Sequence, residues 1–525
     1  MKRIRILTGI VCLAALLLTA CGSSTAGGPA PAPTADVPTE TLSRDAIIDS
    51  VVENFSLLAA IPRPSHHEKA ISDFFVQWAK DQGLEPVQDA HYNVMFDVPA
   101  SENMEDYPLG ILQVHMDMVV AVADGKDFDP LTDPITVIRD EAADTLTADG
   151  TSLGADDGAG CGIVMALIKG GMAHGPLRII ITTDEEDGME GAFHMDAAWL
   201  AGASYLINID NEVSSDVLVS TAAGDSVRAD GAVSPADAQG DLALNIELSG
   251  LAGGHSGVEI DKGRLNALIG LGGFLKELRD NAVSYELASF AGGTAPNAIP
   301  AKAVCTIVVS SDAADAVRAQ AEAYLAQLQK RYAEAESGIT LTVTEADTVP
   351  KVVSREDRDN MLRFLTEVID GVYTWSADME GLVESSSNLG AVSLNENGVN
   401  AATYSRSSVG RLEKEILDSQ LALAAACGYH TESVKMADPW PYDPNSRLLA
   451  LAKEIYLAQN GQEITVSALH AGLECGTFKL LNPELDMISI GPDISDAHTI
   501  RETLSLASVP VTWNLLAQML IRVGE

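Results

Sequence analysis

A histidine and an aspartate directly after an apolar segment are the first residues whose types and spacing suit metal chemistry. His115 and Asp117 follow the strand-like segment 109–114, and their side chains point the same way if the backbone stays extended. A histidine that ligates a metal usually donates its other ring N–H to a carboxylate or a carbonyl, which fixes the tautomer of the ring. The pair therefore suits a metal ligand and its orienting carboxylate, although His-x-Asp alone is weak evidence.

Two adjacent aspartates lie in a glycine-rich segment, 154–160, that leads into an apolar stretch. Because Asp and Gly are common turn residues, a solvated loop explains Asp156 and Asp157 as well as a metal site does. The segment becomes informative only together with the acidic groups that follow it along the chain.

Four consecutive acids, residues 184–187, follow a segment whose pattern predicts a buried strand, 177–183. Like charges this close raise one another's pKa and oppose folding, so a bound cation is a natural counter-charge. The strand-like segment 205–209 also runs into acids, Asp210 and Glu212. This repetition at two predicted strand ends favours a metal site over a solvated loop.

A last histidine, His498, follows the strand-like segment 487–490. Alone, such a histidine is more often structural than a metal ligand. Together with the preceding groups it completes a set of two histidines and several carboxylates. These are the donor types that bind a pair of zinc-class ions.

Alternating strand-like and helix-like segments position these residues. The segments before His115, Asp184 and Asp210 are predicted strands, and 160–168 is a predicted helix that is entered through glycines. Strands that alternate with helices predict an α/β sheet, whose ligands gather at the carboxyl ends of the strands. The acids and histidines are therefore expected at one edge of that sheet.

The composition narrows the class of partner. The chain has 525 residues, with 33 Lys and Arg against 75 Asp and Glu, so its net charge is −42. This acidity argues against a nucleic-acid partner and against binding to anionic lipid through surface charge. The length predicts two or three domains. The six cysteines are scattered without paired spacing, which predicts neither a disulfide framework nor a redox role.

The N-terminal segment reads as an export signal. A basic start and an apolar stretch, 6–20, end at Leu18-Thr19-Ala20-Cys21, which resembles the lipobox of bacterial lipoproteins. The resemblance implies a signal peptide over 1–20, a lipid on Cys21, and an exported protein anchored to the cell membrane through that lipid. Residues 21–41, rich in Gly, Ser, Ala and Pro, then form a tether. A plain secretory signal is the alternative.

Several motifs resemble the M20 family of co-catalytic zinc peptidases and, within it, the aminoacyl-histidine dipeptidase branch. Besides the acid and histidine groups, the resemblance rests on Ile61-Pro62-Arg63-Pro64-Ser65 and on four further segments: 253–257, 297–300, 386–390 and 470–476. It implies an α/β catalytic domain with a central mixed sheet flanked by helices, formed from 42–223 and 438–525. An α+β lid domain, 224–437, would be inserted between these two parts.

The resemblance also implies a role for each acid and histidine. His115 and Asp210 would hold one zinc ion, Glu186 and His498 would hold the other, and Asp156 would bridge them. Asp117 would orient His115. Glu185 would be the general base for a hydroxide that bridges the two ions, although manganese or cobalt suits the same donors. Asp157 stands where the family often has Asn, which adds a negative charge beside the metals.

The resemblance implies substrate contacts from the lid as well. His255 would stabilise the tetrahedral oxyanion, often in the active site of a partner subunit, which implies a homodimer. A loop histidine held by local backbone is the alternative reading of His255. Arg406 would bind the terminal carboxylate of a dipeptide through its planar fork, and Asn297 and Gly472 would line the same pocket.

These inferences predict a lipid-anchored metallodipeptidase that cleaves Xaa-His or a broader range of dipeptides outside the cytoplasmic membrane. Another activity of the family, an aminoacylase or a carboxypeptidase, is the nearest alternative. A tethered peptide-binding lipoprotein without catalysis is a less favoured one, because every predicted metal ligand and the base are present in the chain.

Overall fold

Two large β-sheets organise residues 42–524, the part of the chain that the computed structural model describes. The predicted signal peptide, the tether and Cys21 lie outside the described residues. Within 42–524, no helix is both long enough and apolar enough to cross a membrane.

The helices in chain order are α1 Arg44–Ala59, α2 Lys69–Asp81, α3 Ala155–Gly170, α4 Glu190–His194, α5 Ala267–Asp280, α6 Ala314–Arg331, α7 Arg355–Glu367, α8 Gly410–Ala426, α9 Arg447–Asn460, α10 Cys475–Leu481 and α11 Val509–Arg522. The strands are β1 Val87–Gln88, β2 Val94–Val98, β3 Gly110–His115, β4 Val137–Asp140, β5 Thr145–Ala148, β6 Leu177–Thr182, β7 Tyr205–Asn208, β8 Asp216–Thr221, β9 Ala223–Gly231, β10 Pro235–Asp237, β11 Leu242–Ser249, β12 Gly254–His255, β13 Glu286–Gly293, β14 Ala298–Ile299, β15 Ala303–Val309, β16 Thr340–Glu345, β17 Lys351–Val353, β18 Gly371–Trp375, β19 Val383–Asn395, β20 Gly398–Ser407, β21 His430–Ala437, β22 Thr465–Leu469, β23 Asp486–Ser489, β24 Ile494–Ser495 and β25 Thr503–Ser505.

The first sheet has eight strands in the order β1-β2-β6-β3-β7-β23-β8-β22. Its centre is parallel, because β3 pairs in parallel with both β6 and β7, and β23 pairs in parallel with β7. Antiparallel β1 and β2 complete one side. The predicted α/β class with a central mixed sheet is confirmed.

Apolar side chains on both faces of this sheet explain why its strands read as continuous apolar runs. Every residue of β3 is buried. Its Leu112 belongs to the core shared with α1, α2, α3, α9 and α11, whereas the adjacent Ile111 belongs to a core with α4 and α10. Helices therefore cover both faces, and polar residues are left at the strand ends.

The second sheet, built from strands between residues 223 and 437, is antiparallel. Its order is β16-β11-β15-β13-β19-β20-β9-β21, and β18 also pairs with β19. A separate apolar core joins this sheet to α5, α6 and α7. The layout agrees with an α+β layer, and the domain boundaries at 224 and 437 stay a prediction.

Polar side chains cap several of the helices, as their sequences favour. Ser43 accepts the N–H of Ala46 at the start of α1, and Asn266 accepts the N–H of Leu268 at the start of α5. Ser354 and Ser446 cap α7 and α9 in the same way.

Two small sheets carry loops that contain predicted site residues. β12 pairs with β14, so that His255 lies opposite Ala298, the neighbour of Asn297. The four-stranded sheet β24-β25-β5-β4 holds the loop between β24 and β25, in which His498 lies.

Candidate metal centre and substrate pocket

The predicted metal ligands meet at the carboxyl ends of the parallel strands of the first sheet. His115 ends β3, Glu186 follows β6, and Asp210 follows β7. Because these strands are parallel neighbours, their carboxyl ends lie at one edge of the sheet. Asp156 at the start of α3 and His498 in the β24–β25 loop reach the same place, as the contacts below show.

Asp156 lies between the two histidines. One of its carboxylate oxygens is 3.1 Å from Nε2 of His115, and the other is 3.1 Å from Nε2 of His498. Nε2 of His115 is also 3.4 Å from Asp210, and Nε2 of His498 is 2.9 Å from Glu186. The five side chains thus form two groups that share one carboxylate.

Burial makes this arrangement electrostatically costly without a cation. Burial raises the pKa of Asp210, and burial together with Asp210 raises the pKa of Glu185. Hydrogen bonds with Asp156 and Glu186 raise the pKa of His498 to about 11. A proton on His498 therefore supplies part of the counter-charge, and a metal ion would take the place of that proton.

The donor set fits divalent cations. Ligand atoms of His115, Asp156 and Glu186 all lie within 4.8 Å of one another, and so do those of His115, Asp157 and Asp210. One oxygen of Glu186 is buried and has no hydrogen-bond partner among the described residues. Imidazole and carboxylate donors at this spacing suit zinc, and they also suit manganese or cobalt.

Asp117 connects His115 to the acidic loop. One of its oxygens is 3.3 Å from Nδ1 of His115 and accepts the N–H of Glu185, while the other accepts the N–H of Glu186 and the hydroxyl of Ser65. Burial alone would raise the pKa of Asp117, but its contacts with His115 keep it below the ordinary value. The side chain thus lies where an orienting carboxylate would lie.

Asp157, although close enough to His115 and Asp210 to share a cation with them, hydrogen-bonds to backbone N–H groups. It accepts the N–H of His115 at 3.3 Å and that of Gly160 at 3.0 Å, and it is buried. Burial raises the pKa of Asp157 well above its ordinary value. The extra acid predicted beside the metals therefore also joins β3 to the first turn of α3.

Two residues that the sequence did not predict also contribute to the site, and the first is Arg63. Its side chain is 2% exposed, and it donates to the carbonyl oxygens of Met116, Asp117 and Gly154 at 2.9, 2.9 and 2.5 Å. A Cβ atom at Gly154 or Gly158 would lie 2.7 or 2.6 Å from its guanidinium. The glycines of the aspartate segment thus make room for an arginine that joins two ligand loops.

The second missed residue is Glu502, the last residue of the β24–β25 loop that contains His498. Its carboxylate accepts the backbone N–H groups of the four residues 153–156, at distances of 2.9, 3.0, 2.6 and 3.3 Å. A buried carboxylate at the start of α3 satisfies N–H groups that have no partner within the helix. Glu502 therefore couples the segment of His498 to the segment of Asp156.

A buried polar network lies behind the strand ends. Glu474, from the 470–476 motif, accepts from Gln113 at 2.6 Å and from Thr182 at 2.7 Å, and Asn208 donates to Gln113 at 2.6 Å. Burial raises the pKa of Glu474 to about 7. Adjacent strands β3, β6 and β7 are thus tied together just before their ligand residues.

The predicted substrate residues of the lid form a second group. Nη2 of Arg406 is 3.5 Å from Nε2 of His255, and the Arg406 guanidinium stacks 4.3 Å from the centre of the Tyr404 ring. Ser256 donates its N–H to the carbonyl of Asn297. Burial and the charge of Arg406 lower the pKa of His255, which favours a neutral imidazole.

Gly472 connects this group to the acidic loop. A Cβ atom at Gly472 would lie 3.0 Å from Cε of Met189, which follows the acids after β6, and a Cβ atom at Gly257 would lie 2.6 Å from the carbonyl oxygen of His470. The loop of His255 therefore packs against the 470–472 segment of the same chain. A contribution of His255 to a partner's site stays a prediction.

Comparisons with known proteins agree in family and fold. The sequence profile of peptidase family M20/M25/M40 matches residues 111–522. The cytosol non-specific dipeptidase of Escherichia coli (strain K12) is 33% identical over 471 residues, which cover 89% of this chain and 96% of that protein. The crystal structure of an aminoacylhistidine dipeptidase from Vibrio alginolyticus superposes with a TM-score of 0.85 at 31% identity, over 90% of this chain and 96% of that one. An aminopeptidase from Bacillus cereus, at 15% identity and a TM-score of 0.52 over 91% of this chain and 99% of that one, shares the fold.

Proposed function

Because the chain belongs to peptidase family M20/M25/M40 and is a peptide hydrolase, we propose that it is a two-metal dipeptidase. The observation that carries the proposal is the position of Asp156, whose two oxygens each lie 3.1 Å from a different histidine. Each histidine has a further carboxylate beside it, Asp210 for His115 and Glu186 for His498. This symmetry suits two cations that share Asp156, and we propose zinc for both.

The chemistry assigned to the chain's own residues begins with Glu185. A pair of bound divalent cations lowers the pKa of a water molecule and polarises the scissile carbonyl group. Glu185 accepts the proton of the attacking water and delivers it to the leaving amine. Asp117 holds the N–H groups of Glu185 and Glu186, which keeps the base and the ligand beside it in place.

The lid residues are assigned to the carboxylate end and the scissile group of a short substrate. Arg406 binds the terminal carboxylate through its guanidinium group. Its neighbour His255 has a lowered pKa, which favours an uncharged imidazole beside the arginine. His255 donates to the oxyanion of the tetrahedral intermediate, and Asn297 and Gly472 line the pocket. A pocket that binds both ends of a dipeptide excludes longer chains. The similarity to the dipeptidases of Escherichia coli and Vibrio alginolyticus supports this substrate class.

The N-terminal pattern carries a further part of the proposal. The chain is exported, cleaved before Cys21 and anchored to the outer side of the cytoplasmic membrane by a lipid on that cysteine. The basic start, the apolar stretch 6–20 and the small residues before Cys21 support this location.

Glu185→Gln tests the assignment of the base. The amide keeps the size of the side chain but does not accept a proton, so we expect hydrolysis to fall about a hundredfold or more while zinc content is unchanged. Initial rates with a dipeptide and elemental analysis on the same sample measure the two effects. Glu190→Gln, the same exchange at an exposed position nearby, is the matched control. Full activity in the Glu185 variant would refute this mechanism.

A further inference from the structure

A cavity of about 410 Å³ lies apart from the metal centre and the lid residues, beside α5, β13 and α7. Its wall includes Arg279 from α5, Arg355 and Arg358 from α7, and the connection 282–285 between α5 and β13. None of the residues assigned above to metal or substrate lines it.

The lining of this cavity is basic, in contrast to the chain's net charge of −42. Among the described residues that line it, Glu286 is the one carboxylate, and that carboxylate accepts the N–H groups of Gln239 and Gly240 at 2.9 and 3.0 Å. The lining therefore contains three arginines and one acid, and that acid already binds a backbone turn.

Nearby acids offset only part of this positive charge. Asp359 accepts from Nε and Nη2 of Arg358 at 3.1 and 2.9 Å, but it lies 3.8 Å from Arg355, whose side chain is 87% exposed. Asp280 pairs with Arg279 at 3.2 Å and also with Lys276. Arg279 and Arg355 thus keep donor groups for a ligand.

Arg358 is the most buried and the most firmly held of the three arginines. It donates to the carbonyl of Tyr285 at 2.8 Å, its guanidinium lies 5.2 Å from the centre of the Tyr285 ring, and its side chain is 13% exposed. Because Nε and Nη2 of Arg358 already bind Asp359, Arg358 adds a fixed positive charge, and the two more exposed arginines supply most of the hydrogen bonds to an anion with several oxygens.

We propose that this cavity binds a small multivalent oxyanion, such as phosphate or a polycarboxylate. The ligand joins Arg279 on α5 to Arg355 and Arg358 on α7. It thereby cross-links two helices that pack on the second sheet, at a site independent of the hydrolytic one.

Arginine modification by phenylglyoxal, followed residue by residue by mass spectrometry, tests this site. At constant ionic strength, inorganic phosphate at about ten times its Kd slows the modification of Arg279 and Arg355 about tenfold, because only the unliganded fraction reacts. A second arm with citrate separates a polycarboxylate ligand from a phosphate ligand. Arg411, which is 75% exposed and lies outside the cavity, is the internal control and keeps its rate.

A second measurement keeps the proposal testable if phosphate also binds elsewhere. The phosphate-dependent rise in melting temperature falls in the double variant Arg279→Gln/Arg355→Gln and persists in Arg411→Gln. Unchanged rates at Arg279 and Arg355 in both arms, or an equal slowing at Arg411, would overturn the proposal. An undiminished rise in melting temperature in the double variant would overturn it as well.

Discussion

At the scale of single residues, the centre depends on groups that bind backbone as much as on the ligands themselves. Arg63 is a fully buried guanidinium whose hydrogen-bond partners are backbone carbonyl oxygens, those of Met116, Asp117 and Gly154. It joins the loop after β3 to the loop before α3. We therefore regard it as a positioning residue for the metal centre.

Arg63→Met should destabilise the protein even when no metal is bound. The substitution leaves three buried carbonyl groups without a donor, and we expect the free energy of unfolding to fall by about 3 kcal/mol or more. Denaturant unfolding of the metal-free protein measures this loss. Arg63→Lys keeps the positive charge but not the planar guanidinium group, so the free energy of unfolding should fall by less than in Arg63→Met. An unchanged unfolding midpoint in Arg63→Met would show that these contacts do not stabilise the centre.

At the scale of elements, the strands and their polar ends are the most predictable part of the molecule. The predicted strands 109–114, 177–183 and 205–209 correspond to β3, β6 and β7 within a residue, because strands buried on both faces read as continuous apolar runs. The acids and histidine at their ends then meet by the geometry of a parallel sheet. The predicted helix 160–168 likewise falls within α3.

Arg63 and Glu502 could not be predicted in this way, because both act on backbone groups. Glu502 binds N–H groups of residues 153–156, nearly 350 positions earlier in the chain, and no side-chain pattern records such a contact. Arg63 left a fainter signal, the glycines at 154 and 158 that its guanidinium approaches. Side-chain donors that converge on one ion leave a pattern of residue types, whereas backbone contacts do not.

A partly buried carboxyl group just before β18, beside the second sheet, predicts a pH effect on stability. Asp370 accepts from Asn266, the N-cap of α5, at 2.8 Å and from the N–H of Leu389 in β19 at 2.9 Å. Burial raises its pKa from 3.8 to about 6. The native state therefore keeps this proton to higher pH than the unfolded chain does, and the resulting stability is present below about pH 4 and lost as pH rises through about 6.

Asp370→Asn should remove this dependence, because the amide keeps the acceptor oxygen but does not titrate. We compare the free energy of unfolding of the variant with that of the unsubstituted protein. The difference, variant minus unsubstituted, should increase by about 2 kcal/mol from about pH 4 to about pH 7. Denaturant unfolding of both proteins at the two pH values measures this difference. A constant difference would mean that Asp370 has an ordinary pKa.

At the scale of the whole molecule, the net charge of −42 has two parts. A few acids converge on the candidate metal centre, where divalent cations would offset them. The others argue against binding of anionic lipid through surface charge. Attachment to a membrane would then depend on the acyl chains at Cys21. The acidic body would be held off an anionic bilayer by repulsion.

Cys21→Ser should abolish membrane attachment. In a bacterial host grown with radiolabelled palmitate, we expect the unsubstituted protein to carry label and to sediment with membranes, because the proposed lipid on Cys21 would contain labelled acyl chains. The variant should carry no label and should leave the membrane fraction. Cys12→Ser, within the segment to be cleaved, is the matched control and should behave as the unsubstituted protein does. Label in the Cys21 variant would place the lipid elsewhere.

One assay decides whether the protein is a metal-dependent dipeptidase. The purified protein is assayed before chelation, after chelation and after zinc is restored. Substrates are Xaa-His and other dipeptides, matched tripeptides, and N-acyl amino acids. We expect dipeptides to be cleaved, chelation to abolish cleavage, zinc to restore it, and tripeptides and N-acyl amino acids to be left intact. Cleavage that survives complete metal removal, or equal cleavage of tripeptides or N-acyl amino acids, would contradict it.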